Sequence, residues 1–230
     1  MILENKVIVI TGGSQGLGKA LAQAFKSEKA NVVISSNNKT ILEQTAQDIG
    51  VVSYVADVRD ESQLKNLSKF TVEKFGRLDI WVNNAGVFKF FSVEEDIDMN
   101  KAHEIFDVNF FGSVLGSRTA LTYMKDNGGI IINILSSAAL DATRAKNAKL
   151  YAASKWALRG YIDALRNENK DNQVNIYSIY PGGIKTSLYE EKNPEGFENF
   201  MEPEYVADKV IVNLKSEQPE IDLIIKRPVK

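Results

Sequence analysis

Short β-branched runs alternate with helix-length amphipathic stretches along the whole chain. The strands read at Lys6–Ile10, Asn31–Ser35, Val51–Val55, Asp79–Val82, Gly129–Leu135, Val174–Tyr180 and Ile221–Ile225. Several of them, such as Val7–Ile10 and Ile130–Ile132, are apolar at every position. That is the pattern of strands covered by helices on both faces. Helical stretches lie between them at Leu17–Glu28, Lys39–Asp48, Glu61–Phe75, Met99–Lys125, Leu150–Asn169 and Pro203–Leu214. Such alternation specifies an α/β fold: an open, doubly wound, mostly parallel sheet of about seven strands with helices on both faces. No low-complexity linker, internal repeat or second composition regime interrupts the 230 residues, so one domain spanning 1–230 is expected.

The bulk numbers exclude several classes of function. Folding at this length buries roughly 70–75% of the unfolded surface, so the core needs no staples. Hydrophobic content of 44% and charged content of 25% are those of a globular protein. A net charge of −2 gives no reason to expect nucleic acid or an anionic membrane as partner. The chain has no cysteine and one histidine, His103, which excludes disulfides, thiolate or multi-histidine metal sites and a cysteine nucleophile. No metal is expected. The start, Met1–Lys6, lacks the features of a signal peptide, and no apolar run approaches the ~20 residues of a membrane span, so a cytoplasmic location is expected.

Two stretches resist regular assignment, Ala138–Lys149 and Thr186–Glu202. The second carries Leu188, Tyr189, Phe197, Phe200 and Met201 among acids. Irregular segments of that length in a compact domain are usually functional or disordered. The apolar content favours a lid that closes on a ligand over a mobile surface loop.

Glycines mark the end of the first strand. Thr11-Gly-Gly-Ser-Gln-Gly-Leu-Gly18 leads straight into helix-forming sequence. A glycine-rich turn there lets backbone N–H groups approach a pyrophosphate, and the positive end of the helix dipole favours the anion. The spacing of Gly12, Gly16 and Gly18 is not the G-x-G-x-x-G of the general dinucleotide fingerprint.

It resembles the T-G-x-x-x-G-x-G turn of the short-chain dehydrogenase/reductase family, and further motifs follow in that family's order. Asp57-Val58 follows the third strand, Asn83-Asn-Ala-Gly86 the fourth, and Asn109 lies in the long helix after it. Tyr151-Ala-Ala-Ser-Lys155 supplies Y-x-x-x-K, and Pro181-Gly182 follows the sixth strand. The resemblance covers essentially the whole chain and implies a Rossmann-like fold and a nicotinamide dinucleotide. Gly12, Ser14, Gly16, Leu17 and Gly18 would hold the pyrophosphate, and Asn37, Asp57 and Val58 the adenosine. Asn84, Ala85 and Gly86 would line the middle of the cofactor, while Pro181, Gly182, Ile184 and Thr186 would flank the nicotinamide. An acid at the end of the second strand would select NAD. This chain has Ser35-Ser-Asn-Asn-Lys39 there, without an acid, which favours NADP(H), with NAD(H) the alternative. Lys39 is the candidate cation for the extra phosphate.

Tyr151 and Lys155 are four apart on a helix, on one face and within reach of each other. A free tyrosine, with a pKa near ~10, is a poor base at neutral pH. A nearby ammonium, joined by the positive oxidised nicotinamide, is expected to lower it. By resemblance Tyr151 is the general acid/base, Lys155 also holds the nicotinamide ribose, and a serine at the end of the fifth strand orients the substrate oxygen. Ser136 takes that place, with Ser137 as runner-up. Asn109 would help hold a water linking Lys155 to solvent. The chain is thus read as an oxidoreductase moving a hydride between the dinucleotide and a small carbonyl or alcohol substrate. Two alternatives are a catalytically silent cofactor-binding regulatory protein and a reductase of carrier-bound 3-oxoacyl chains. The second would need a basic patch, for which Arg144–Lys149 is the nearest candidate. Substrate walls are expected from Val87–Asp96, Ala138–Leu150 and Thr186–Glu202, including Phe88, Phe90, Phe91 and Tyr189. Some apolar residues on the two long helices must pack on the sheet, and the resemblance implies that the remaining faces pair into a homodimer or homotetramer.

Overall fold

The computed structural model describes residues 1–91, 97–145, 147–170, 173–189 and 193–228. Parts of three expected features lie outside the described residues: 92–96 of one substrate wall, Lys146 of the basic stretch and 190–192 of the expected lid.

Seven strands form one parallel sheet in the order β3-β2-β1-β4-β5-β6-β7. They are β1 (Val7–Thr11), β2 (Asn31–Ser36), β3 (Val52–Val55), β4 (Ile80–Asn83), β5 (Gly129–Ile134), β6 (Val174–Pro181) and β7 (Asp222–Ile225). The helices between them are α1 (Gly16–Ser27), α2 (Lys39–Ile49), α3 (Glu61–Phe75), α4 (Met99–Phe106), α5 (Gly112–Met124), α6 (Lys149–Glu168) and α7 (Pro203–Lys215). Each continuous apolar strand feeds two cores, because successive side chains point to opposite faces. Ile8, Ile10, Ile34, Val82 and Ile132 pack beneath α1, α2 and α7. Val9, Val33, Trp81 and Ile131 pack on the other side, beneath α3, α5 and α6. β1 pairs with both β2 and β4, so the strand order reverses there and opens a crevice at the carboxyl ends of the strands.

One expected helix is not continuous. The stretch read as Met99–Lys125 is interrupted by a turn of π-helix at Asp107–Phe111, which separates α4 from α5. A π-turn widens the helix locally. Its cause here is tertiary: Asn109, inside that turn, is fully buried and bonded to the backbone of Val87. The irregular stretch after β5 contains two short 3₁₀ turns, Ser137–Ala139 and Ala142–Arg144. Among the described residues no helix is long and apolar enough to cross a membrane.

Candidate active site

One cleft of about 1850 Å³ runs along the carboxyl ends of β1, β4, β5 and β6. Sites for one small ligand occupy roughly 300–1,000 Å³. This cleft therefore has room for a dinucleotide and a second molecule side by side.

At one end the glycine turn is stitched to the loop after β4. The buried Thr11 hydroxyl donates to the Val82 carbonyl at 3.2 Å and accepts from the N–H groups of Asn84 and Ala85 at 3.1 and 3.2 Å. The Asn84 amide donates to the carbonyls of Thr11 and Gly12, each at 3.0 Å. Gly12 has φ +62°, and a Cβ there would lie 2.7 Å from Ala85 Cα. A Cβ on Gly18 would lie 2.2 Å from the Gly12 carbonyl oxygen. Only glycine permits so close an approach. Whereas α2, α3 and α4 are capped by the side chains of Asn38, Asp60 and Asp98, α1 has no side-chain cap at Gln15. Gly16, Leu17 and Gly18 of its first turn line the cleft, at the end where the helix dipole is positive. This cradle fits a pyrophosphate.

Ser36, Asn37, Asp57, Val58 and Arg59 line the far end. The Arg59 guanidinium grips Asp57, with Nε 3.0 Å from Oδ1, and the Asn37 side chain adds a hydrogen bond; together they hold the Asp57 carboxyl below its ordinary pKa. Sequence reasoning missed Arg59. The available signal was a cation two residues beyond an acid at a strand end. Lys39, expected to serve an extra phosphate, instead lies 3.8 Å from Glu43 on α2.

At the opposite end α6 presents Tyr151 and Lys155. The lysine is 4% exposed, its Nζ donates to the Ile134 carbonyl at 2.9 Å, and it lies 5.8 Å from the centre of the Tyr151 ring. Burial pulls its pKa down to about 8. The Tyr151 phenol goes the other way: burial pushes it above its ordinary value, and a hydrogen bond with Ser136 offsets this in part. The lowering expected from Lys155 is absent in the ligand-free protein, where desolvation dominates. The same bond separates the two serine candidates. Ser136 reaches Tyr151, and its Oγ also accepts the Ala138 N–H at 3.1 Å, while Ser137 opens the 3₁₀ turn.

Asn109 stands behind the cleft rather than in its wall. Its Oδ1 accepts the Val87 N–H at 2.8 Å, and its Nδ2 donates to the Val87 carbonyl at 3.0 Å and to Ser154 Oγ at 3.2 Å. Below it, the Asn83 amide donates to Ser117 and to Asn133, and its oxygen accepts from the Trp81 ring nitrogen. This buried, satisfied network fixes the ends of β4 and β5. The remaining expected site residues, from Gly12 and Ser14 through Gly16, Leu17 and Gly18 to Ala85, Gly86, Pro181, Gly182, Ile184 and Thr186, all line the one cleft.

Comparison with known proteins gives the family. A model of the short chain dehydrogenase family matches residues 6–196. An uncharacterized oxidoreductase of Bacillus subtilis is 30% identical over 99% of this chain, which spans 67% of that protein. An 11-beta-hydroxysteroid dehydrogenase of Arabidopsis thaliana is 35% identical over 83% of the chain, corresponding to 55% of its own length. Among solved structures, an alcohol dehydrogenase from Thermococcus sibiricus complexed with 5-hydroxy-NADP superposes with TM-score 0.83 at 27% identity, covering 99% of this chain and 100% of that one. A 3-ketoacyl-(acyl-carrier-protein) reductase from Brucella melitensis complexed with NADH gives TM-score 0.88 at 26% identity, covering 97% of each. The chain belongs to the short chain dehydrogenase family, oxidoreductases that work with a nicotinamide dinucleotide.

Proposed function

We propose that this protein interconverts a carbonyl compound and its alcohol, with Tyr151, Lys155 and Ser136 carrying the proton chemistry. The reading rests on a half-buried tyrosine and a buried lysine that open into the same cleft as an uncapped helix N-terminus. A bound nicotinamide dinucleotide supplies the hydride in reduction and takes it up in oxidation. Tyr151, kept neutral by burial, donates its hydroxyl proton to the carbonyl oxygen, so carbonyl becomes alcohol. Ser136, already bonded to Tyr151, orients that oxygen. Lys155 has one N–H donor committed to Ile134 and keeps others for the ribose. Its pKa of about 8 leaves it able to exchange protons near neutrality. A Cβ placed on Gly86 would lie 3.2 Å from Asn109 Oδ1 and 4.0 Å from Lys155 Nζ, so the two residues flank Gly86, where a water replenishing the proton would sit.

The cofactor preference follows from β2. The strand ends at Ser36 and is followed by Asn37 rather than by an acid, and the neighbouring Asp57 carboxylate is paired with Arg59, which favours NADP(H). The segment after β6 serves as the lid: Gly183 and Lys185 bond Met201 at its base, and a Cβ on Gly16 would lie 3.1 Å from Thr186. Phe111 and Trp156, both exposed on the α5–α6 side, support a homodimer or homotetramer, readable by light scattering.

Tyr151→Phe tests the mechanism. Turnover of carbonyl compounds should fall at least a thousandfold, while the dissociation constant for reduced cofactor, read from its fluorescence, changes less than threefold. Near-native turnover in that variant overturns the assignment.

A further inference from the structure

The side of the cleft that faces Tyr151 is built from aromatic rings. The Phe88 ring centre lies 5.0 Å from that of Tyr151, 4.9 Å from Phe90 and 5.0 Å from Tyr189. Tyr189 in turn lies 5.9 Å from Phe197 and 5.8 Å from Phe200, all in tilted or edge-on arrangements. These rings come from two separate segments, the loop after β4 and the stretch after β6, so the fold assembles them around the reacting phenol.

The assembly is held in place before any substrate arrives. The Met201 N–H donates to the Gly183 carbonyl and the Lys185 N–H to the Met201 carbonyl, each at 2.9 Å, which fastens both ends of the second segment. Phe200 lies directly on Gly183, where a Cβ would come within 2.6 Å of its ring. Any side chain at position 183 would expel that ring. The Arg227 guanidinium covers the Phe200 ring at 4.8 Å.

Rings held at offset and edge-on angles pair best with another ring, each such pair contributing about 0.5–1.5 kcal/mol beyond simple burial. We propose that, within the carbonyl reductase activity proposed above, the preferred substrates are compounds whose carbonyl is attached to a planar aromatic ring. Phe88 and Phe200, both in the lining of the cleft, are specificity-determining residues for that ring.

Two ketones of similar size decide the matter: acetophenone and cyclohexyl methyl ketone, each assayed with reduced cofactor. Conjugation makes acetophenone intrinsically less electrophilic than the saturated ketone, so a preference for it has to come from binding. Two ring contacts predict a kcat/KM for acetophenone roughly tenfold above that of cyclohexyl methyl ketone. In Phe88→Leu and Phe200→Leu the aryl-to-cyclohexyl ratio should fall towards one, with cofactor affinity retained. Equal or better turnover of the cyclohexyl ketone, or an aryl preference surviving both substitutions, overturns the inference and leaves the carbonyl activity standing. No turnover of any carbonyl compound by protein that binds reduced cofactor overturns the activity itself, and the inference with it.

Discussion

Replacing Lys155 by methionine should make the protein more stable and inactive at once. The ammonium is 4% exposed, and burial lowers its pKa from 10.5 to about 8. A tenfold change in a proton's affinity is worth about 1.36 kcal/mol, so holding this group charged in the folded state costs about 3 kcal/mol. Methionine fills similar space without the charge, but strands the Ile134 carbonyl that Nζ now satisfies, which costs about 1 kcal/mol. The net gain at pH 7 is therefore about 2 kcal/mol, or a rise of about 4–8 °C in Tm for a domain of this size. The size of the gain depends on pH. Below the folded pKa of about 8 both states carry the proton and the native penalty is complete. Between there and the ordinary lysine value the unfolded chain binds more protons, so native stability rises with pH. Above that range the native protein no longer suffers the penalty, and the variant's advantage disappears. Urea unfolding followed by circular dichroism at pH 7, 9 and 10.5 reads this directly. A variant less stable than the native protein at pH 7, or a difference that does not change with pH, refutes the reasoning.

Three further outcomes follow from the geometry. Gly18→Ala brings a Cβ to within 2.2 Å of the Gly12 oxygen, so cofactor affinity should fall more than tenfold by fluorescence titration, together with a lower Tm. Asn109→Ala removes hydrogen bonds to both backbone groups of Val87 and to Ser154, and should cost about 2–3 kcal/mol in urea unfolding. Ser36→Asp puts a carboxylate at the end of β2, and should raise KM for NADP(H) at least tenfold relative to KM for NAD(H) in steady-state assays.

The element pattern was legible in the chain because strand and helix periods differ and each buried strand is a short, wholly apolar run. All seven strands lie within a residue or so of their expected bounds, as Val7–Thr11 against Lys6–Ile10 illustrates. The tight turn after β1 was legible for a similar reason: a turn that presses backbone against backbone admits only glycine, and Gly12 and Gly18 record that constraint locally. The pairing of Tyr151 with Lys155 came from helical spacing together with the family resemblance of the motifs around it. The sequence could not reveal groups whose partners are distant in the chain. The π-turn at Asp107–Phe111 exists because Asn109 reaches Val87, 22 residues earlier. That Ser136 rather than Ser137 sits beside Tyr151 depends on how the turn after β5 meets α6. The pKa of Tyr151 depends on how much water the fold excludes, and desolvation, a property of the packed interior, raises it where spacing predicted a lowering by charge. Local stereochemistry and periodicity are written residue by residue; long-range contacts and burial arise only once the sheet brings its strand ends together.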